Sequence, residues 1–144
     1  MDSYFLDLPE GQIADLGVVR MRLLIATKRM NSALAVAEFR GDEGAWTVPH
    51  LHRRMEESFY VLDGTFTFTV AGREIEAHEG AFLMVPRGTS HGIRCGSGGG
   101  SLLTLFTPGG LEEMFLELGR LPADSITNPE VRAAIAKRHD SIPV

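Results

Sequence analysis

Up to about residue 107, apolar residues recur in short runs separated by glycines, prolines and pairs such as Asp-Gly and Ala-Gly. This rhythm predicts many short strands joined by turns. The segment Thr65 to Val70, "TFTFTV", is the clearest case. Threonine alternates with an apolar residue, so one face of the strand faces a core and the other faces water. Further strands are expected at 18–26 and 33–39, with a hairpin near Met30-Asn31. Another runs over 58–62 and stops at Asp63-Gly64, a hairpin turn signal. The pattern continues at 73–78, 81–85, 91–94 and 102–107. Between the last two lies "CGSGGGS", Cys95 to Ser101, small and flexible in composition, which reads as a loop tip.

After this the period changes from two to that of a helix. Leu111, Met114, Phe115 and Leu118 fall at i, i+3, i+4 and i+7, the spacing of one helical face. Asn128-Pro129-Glu130 is a helix start: a capping side chain, a proline at the first position and an acid near the positive end. That helix should run to about Arg138. The expected architecture is all-β, a barrel or sandwich with a C-terminal helical tail. Residues 1–17 form an N-terminal extension, 18–107 the barrel and 108–144 a helical segment packing on it, all in one domain. The apolar stripe of the tail has two uses open to it. It closes the mouth of the barrel, or it helps to form a dimer.

Composition narrows the classes of function. A chain of 144 residues with 44% hydrophobic and 23% charged residues fits one soluble globular domain. The net charge of −5 is spread along the chain, which argues against nucleic acid as a partner. Arg53 and Arg54 leave room for an anionic small substrate, although exposed charges beside a turn are the simpler reading. The single cysteine, Cys95, excludes an internal disulfide. The N-terminus lacks a basic segment followed by an apolar run, and no apolar stretch approaches the ~20 residues of a membrane span. A cytoplasmic location with no membrane contact is expected.

The candidate chemistry sits in "PHLHRRMEESFYVLDG", Pro49 to Gly64. His50 and His52 are two residues apart, so on extended chain both imidazoles point to one side. Two glutamates follow, and spacing alone leaves Glu56 and Glu57 as competitors. Strand parity leans to Glu57. If Glu57 faces inward, Phe59 and Val61 do too, a cleaner apolar row than Ser58, Tyr60 and Leu62, which would travel with Glu56. A second cluster follows in "GAFLMVPRGTSH": an apolar run is stopped by Pro86, turned by Gly88 and re-enters a strand at His91. Cys95 shares the parity of His91 and Ile93 and reads as a small buried apolar residue. Phe66, Phe68, Phe82, Met84 and Phe106 are read as core, and His78 and His139 as surface or helix-end residues without a chemical role.

These two clusters resemble the paired motifs of the cupins. The first motif is matched by Gly44, His50, His52, Glu57 and Gly64, and the distance to Gly64 selects Glu57 over Glu56. The second is matched by Gly80, Pro86, Gly88 and His91, with Cys95 standing where asparagine is usual. The resemblance covers about 18–107. It implies a cupin jelly-roll barrel in which His50, His52, Glu57 and His91 bind one divalent transition metal. Three imidazoles and a carboxylate suit Fe, Mn, Ni, Co or Zn. It also implies a homodimer and a small organic substrate. Within the family, the chain looks most like small single-barrel proteins similar to quercetin dioxygenase. Dioxygen would then be a co-substrate and Glu57 a base that accepts a substrate proton. The same donors serve a non-oxidative isomerase, decarboxylase or polyketide cyclase, and a binding protein without turnover is the third reading.

Overall fold

The structure is a computed structural model, and it describes residues 2–8 and 10–144. Among the described residues, nine strands form one continuous hydrogen-bonded system: β1 (Ile13–Asp15), β2 (Val19–Ile25), β3 (Ala35–Gly41), β4 (His50–Leu51), β5 (Glu56–Val70), β6 (Arg73–Ala77), β7 (Phe82–Val85), β8 (His91–Thr107) and β9 (Ile142–Pro143). Three helices, α1 (Glu112–Gly119), α2 (Ala123–Ile126) and α3 (Pro129–Arg138), lie between β8 and β9. The expected order of strands followed by helices is present, and the strands form a double-sheet jelly roll.

Two long strands carry the architecture. β5 has 15 residues and β8 has 17, and they pair antiparallel from Glu56↔Thr107 to Val70↔His91. The first half of β5 joins β7 on one side and, through β8, continues into β3, β2 and β1. The second half of β5 joins β6, while the first residue of β8 joins β4, which pairs with β9. One ribbon thus belongs to two sheets and must bend where it passes between them. The register shifts at Val61/Asp63 and Gly64/Phe66 mark that bend.

Two expectations fail at this bend. Asp63-Gly64 does not end a strand, and "CGSGGGS" is not a loop tip. Both lie inside continuous strands, opposite one another. The glycines are there for close approach. A Cβ on Gly64 would sit 2.3 Å from the Gly99 carbonyl oxygen, and Gly64 and Gly99 both take φ of 78°. Two backbones crossing this tightly exclude side chains, so the composition of a loop appears in a strand.

The inner faces of the two sheets enclose an apolar core of Phe59, Val61, Phe66, Phe68, Val85, Cys95 and Leu102. Phe82 and Met84, expected in this core, are 63% and 48% exposed. They alternate with buried Val85 and half-buried Leu83 and occupy the outer face of β7. The helical tail settles on the inside. Leu111, Met114, Leu116 and Leu118 are buried with Met21, Leu23, Ala35, Ala37 and Phe106. Phe115 packs on Phe39 at 4.8 Å and on Phe106 at 6.4 Å between ring centroids. Phe106 is the register partner of both Glu57 and Ala35, and direct partners share a face. The stripe on α1 therefore closes the barrel. The buried carboxylate of Glu112 fastens it there, accepting from the amides of Thr27 and Gly110, each at 2.9 Å. Asn128 caps α3 as expected, accepting from the amides of Glu130 and Val131.

Candidate metal centre

His50, His52, Glu57 and His91 converge although they come from three separate stretches of chain. One donor atom from each lies within 4.8 Å of the others. The fold explains how. His50 and His91 are direct cross-strand partners on β4 and β8, which puts both imidazoles on one face. His52 follows His50 by two residues and points the same way. Glu57 arrives from the other end of the ribbon: His91 pairs with Val70, the last residue of β5, whereas Glu57 is its second. A straight strand would separate residues 57 and 70 by roughly 40 Å at ~3.3 Å per residue. Instead Glu57 Oε2 lies 3.0 Å from the Nε2 atoms of both His52 and His91. The glycine-lined bend closes the ribbon on itself, and that closure assembles the site.

Each imidazole is oriented from behind. Nδ1 of His50 donates to the Val48 carbonyl at 2.7 Å, that of His91 to the Thr89 carbonyl at 3.0 Å, and that of His52 to the Asp140 carbonyl at 2.8 Å. A carbonyl only accepts, so each Nδ1 carries a proton and each Nε2 faces the common point: Nε2 of His52 and of His91 meets the Glu57 carboxylate as a donor, and toward a bound cation the same atoms would turn their lone pairs. The donor set fits a cation for this reason: three imidazole nitrogens and a carboxylate oxygen share one space, and a positive ion among them would take a lone pair from each.

The electrostatics agree. Burial, reinforced by neighbouring His91, lowers the pKa of His50 to about 4, so its ring is neutral at pH 7. Burial opposes the charge on Glu57, but the hydrogen bonds from His52 and His91 outweigh it and bring its pKa down to about 2. His52 shows the complementary balance: burial alone would lower its pKa, and the Glu57 carboxylate raises it.

Glu56, the spacing competitor, is elsewhere. It faces outward and grips Arg87 through two contacts of 2.6 and 2.7 Å, which lowers its pKa. Tyr60, expected opposite Glu57, is 40% exposed, and Trp46 is 64% exposed. Cys95 is buried inward as expected, its thiol 3.6 Å from the Gly41 carbonyl, and burial pushes its pKa up. His78 is on the surface, and His139 ends α3, where it pairs with Glu117 at 2.7 Å. Sequence reasoning missed Asp140. It acts on His52 through its backbone carbonyl, which no residue type advertises.

A closed double-sheet barrel with three imidazoles and a carboxylate inside its rim defines a protein of the jelly-roll type with a candidate metal centre. Residues 38–106 match the family model described as the cupin domain, and the chain belongs to the cupin superfamily. It is 33% identical over 116 residues to quercetin 2,3-dioxygenase of Bacillus subtilis (strain 168), which covers 81% of this chain and 34% of the relative. The chain thus spans about a third of the length of that relative. Among solved structures, an RmlC-like cupin from Shewanella frigidimarina is 28% identical with a TM-score of 0.65, covering 74% of this chain and 92% of that one. KdgF from Halomonas sp. shares the fold at 23% identity and a TM-score of 0.67, covering 75% of this chain and 94% of that one.

Proposed function

We propose that this cupin is a metal-dependent enzyme acting on a small organic substrate, and that its reaction is a dioxygenation of the quercetinase type. The observation that carries the reading is the convergence of three imidazole nitrogens with a buried carboxylate. His50, His52, Glu57 and His91 would hold one divalent transition metal. Bound there, such a metal supplies Lewis acidity toward a substrate oxygen and a means of engaging dioxygen. The dioxygenase chemistry is taken from the similarity to the Bacillus subtilis enzyme.

The side chains divide the remaining work. Glu57 is ionised at pH 7 and is the carboxylate placed to accept the proton of an enol or phenol hydroxyl; its low pKa makes it a weak base, so the transfer needs the hydroxyl acidified by the bound metal. Val48, Thr89 and Asp140 keep the imidazoles aimed through their carbonyls. The Phe59 ring centroid lies 6.5 Å from that of His91 and 5.2 Å from that of Phe68, so aromatic rings pack the space behind the donors. His50 is the half-buried member of the four, and the substrate approaches from its side. Oxygen uptake by metal-loaded protein given a flavonol tests this reading. Uptake coupled to substrate loss is expected. Substrate turnover without oxygen consumption would replace it with a non-oxidative Lewis-acid enzyme, and unchanged ligand after long incubation would leave a binding protein.

The cytoplasm is the proposed compartment and a homodimer the proposed assembly. The tail stripe is spent inside the barrel, so the surface offered to a second copy is the outer face of β5 and β7. There Tyr60, Leu62, Phe82 and Met84 are all exposed, and Tyr60 and Phe82 are direct cross-strand partners. Phe82→Glu should turn a dimer into a monomer in light scattering. A monomeric wild-type protein at micromolar concentration would end this part of the reading.

A further inference from the structure

We propose that the C-terminal tail, residues 139–144, is a strap that sets metal affinity, with Asp140 as the positioning residue for His52. The inference rests on the metal-centre reading above. Its starting point is an asymmetry among the three imidazoles. His50 and His91 are oriented by carbonyls two residues before them, at Val48 and Thr89. His52 is oriented by the carbonyl of a residue 88 positions later, Asp140. Two of the donors carry their support within their own strand entry, whereas the third borrows it from the end of the chain.

The tail is built to supply that support. The side chain of Asp140 accepts from the amides of Arg53 at 3.1 Å and Arg54 at 2.9 Å, the turn directly after His52. Asp140 thus holds His52 from two sides, by its carbonyl on the ring and by its carboxylate on the following backbone. It does so at φ 60°, in the left-handed region that a non-glycine residue enters at a cost. Aspartate is among the residues that tolerate it. β9 then pairs with β4, Pro143 opposite His50 and Ile142 opposite Leu51, and the Val144 amide donates to the Pro49 carbonyl at 3.1 Å. On its other side the tail is tied to α3, where the Ser141 amide donates to the Ala136 carbonyl at 3.0 Å. Every residue of "PHLHRR" except His52 itself and the two arginines meets the tail or its neighbour through backbone pairing; those three meet Asp140.

A strap that orients one ligand is thermodynamically coupled to what the ligand holds. If docking of the tail tightens metal binding, metal binding must tighten docking by the same factor. The coupling is read in both directions. Zinc or cobalt(II) affinity is measured by competition with a chromophoric chelator for the wild type, Asp140→Gly, Asp140→Asn and a chain ending at His139. Outer supports of metal-binding histidines are worth about 10–100-fold in affinity. The truncated chain is expected to lose that much. Asp140→Gly keeps the left-handed backbone and the carbonyl but removes the carboxylate, so it should lose less, and Asp140→Asn, with one acceptor oxygen left, less again. The visible spectrum of the cobalt form should change in the truncated chain, because His52 changes its orientation. In the wild type, metal should slow hydrogen exchange at the amides of Arg53, Arg54 and Val144.

Far-UV circular dichroism and the unfolding midpoint of the metal-free forms separate positioning from folding. If the truncated chain does not fold, Asp140→Gly decides: weaker metal binding at an unchanged metal-free midpoint supports the strap. A wild type that binds metal while the folded variants bind it equally well, with the same cobalt spectrum, overturns it. A wild type that binds neither ion overturns the metal-centre reading instead.

Discussion

The two faces of β5 carry neighbouring carboxylates with opposite fates. On the inner face Glu57 is buried, holds contacts of 3.0 Å to two imidazoles and stays ionised down to about pH 2. On the outer face Glu56 is bound in a fork by the exposed guanidinium of Arg87. Both groups are ionised and both have partners. The difference lies in solvent: water screens and can replace the pair on the outside, while inside nothing but protein or an ion can compensate the charge. One step along a strand thus separates a surface ion pair from a candidate ligand. The same division runs along the strand, with Phe59 and Val61 packed inside and Tyr60 exposed outside.

Substitutions can break this comparison. The largest effect is expected from Glu57→Gln, which keeps the shape but removes the charge: stoichiometric metal binding should be lost, as elemental analysis of the purified variant would show. Next comes Phe68→Ala, on the same inner surface but without a donor atom. Phe68 is fully buried, and truncating such a residue costs about 3–5 kcal/mol of stability, read in denaturant unfolding. Chains that remain folded should keep their metal, which separates packing from ligation. Cys95 sits inside as well, and its raised pKa makes it a poor nucleophile, so a thiol reagent should label it only on unfolding. Rapid labelling of the native protein would contradict its placement. The smallest effect belongs to Glu56→Gln, which breaks only the exposed pair with Arg87. Metal content and activity should be unchanged; a loss of metal there would mean that the two faces have been assigned the wrong way round.

The inner face of β5 was legible because strand parity leaned to Glu57 and the resemblance to the cupin motif, through its distance to Gly64, selected it. Parity put His50 and His52 on one side and the Pro86–Gly88 turn led into His91, but it was the resemblance to the paired cupin motifs that joined them into one set. The bend was not. Gly64 and the glycines of "CGSGGGS" are required because two backbones pass close together, and composition cannot distinguish that from a loop. The exposed Phe82 and Met84 misled in the opposite sense, since an apolar residue on an outer strand face has the same identity as one in the core. Least legible was the contribution of the tail. β9 has two residues and no periodicity, and Asp140 supports His52 through a carbonyl that every residue possesses.

The central claim is that the four converging donors bind one metal ion per chain. Elemental analysis of the wild-type protein beside a His50→Ala variant tests it most directly. The account predicts close to one equivalent of a divalent transition metal in the wild type after loading and washing, and a marked loss in the variant. Wild-type protein that retains no stoichiometric metal, or a variant that retains as much as the wild type, would contradict it.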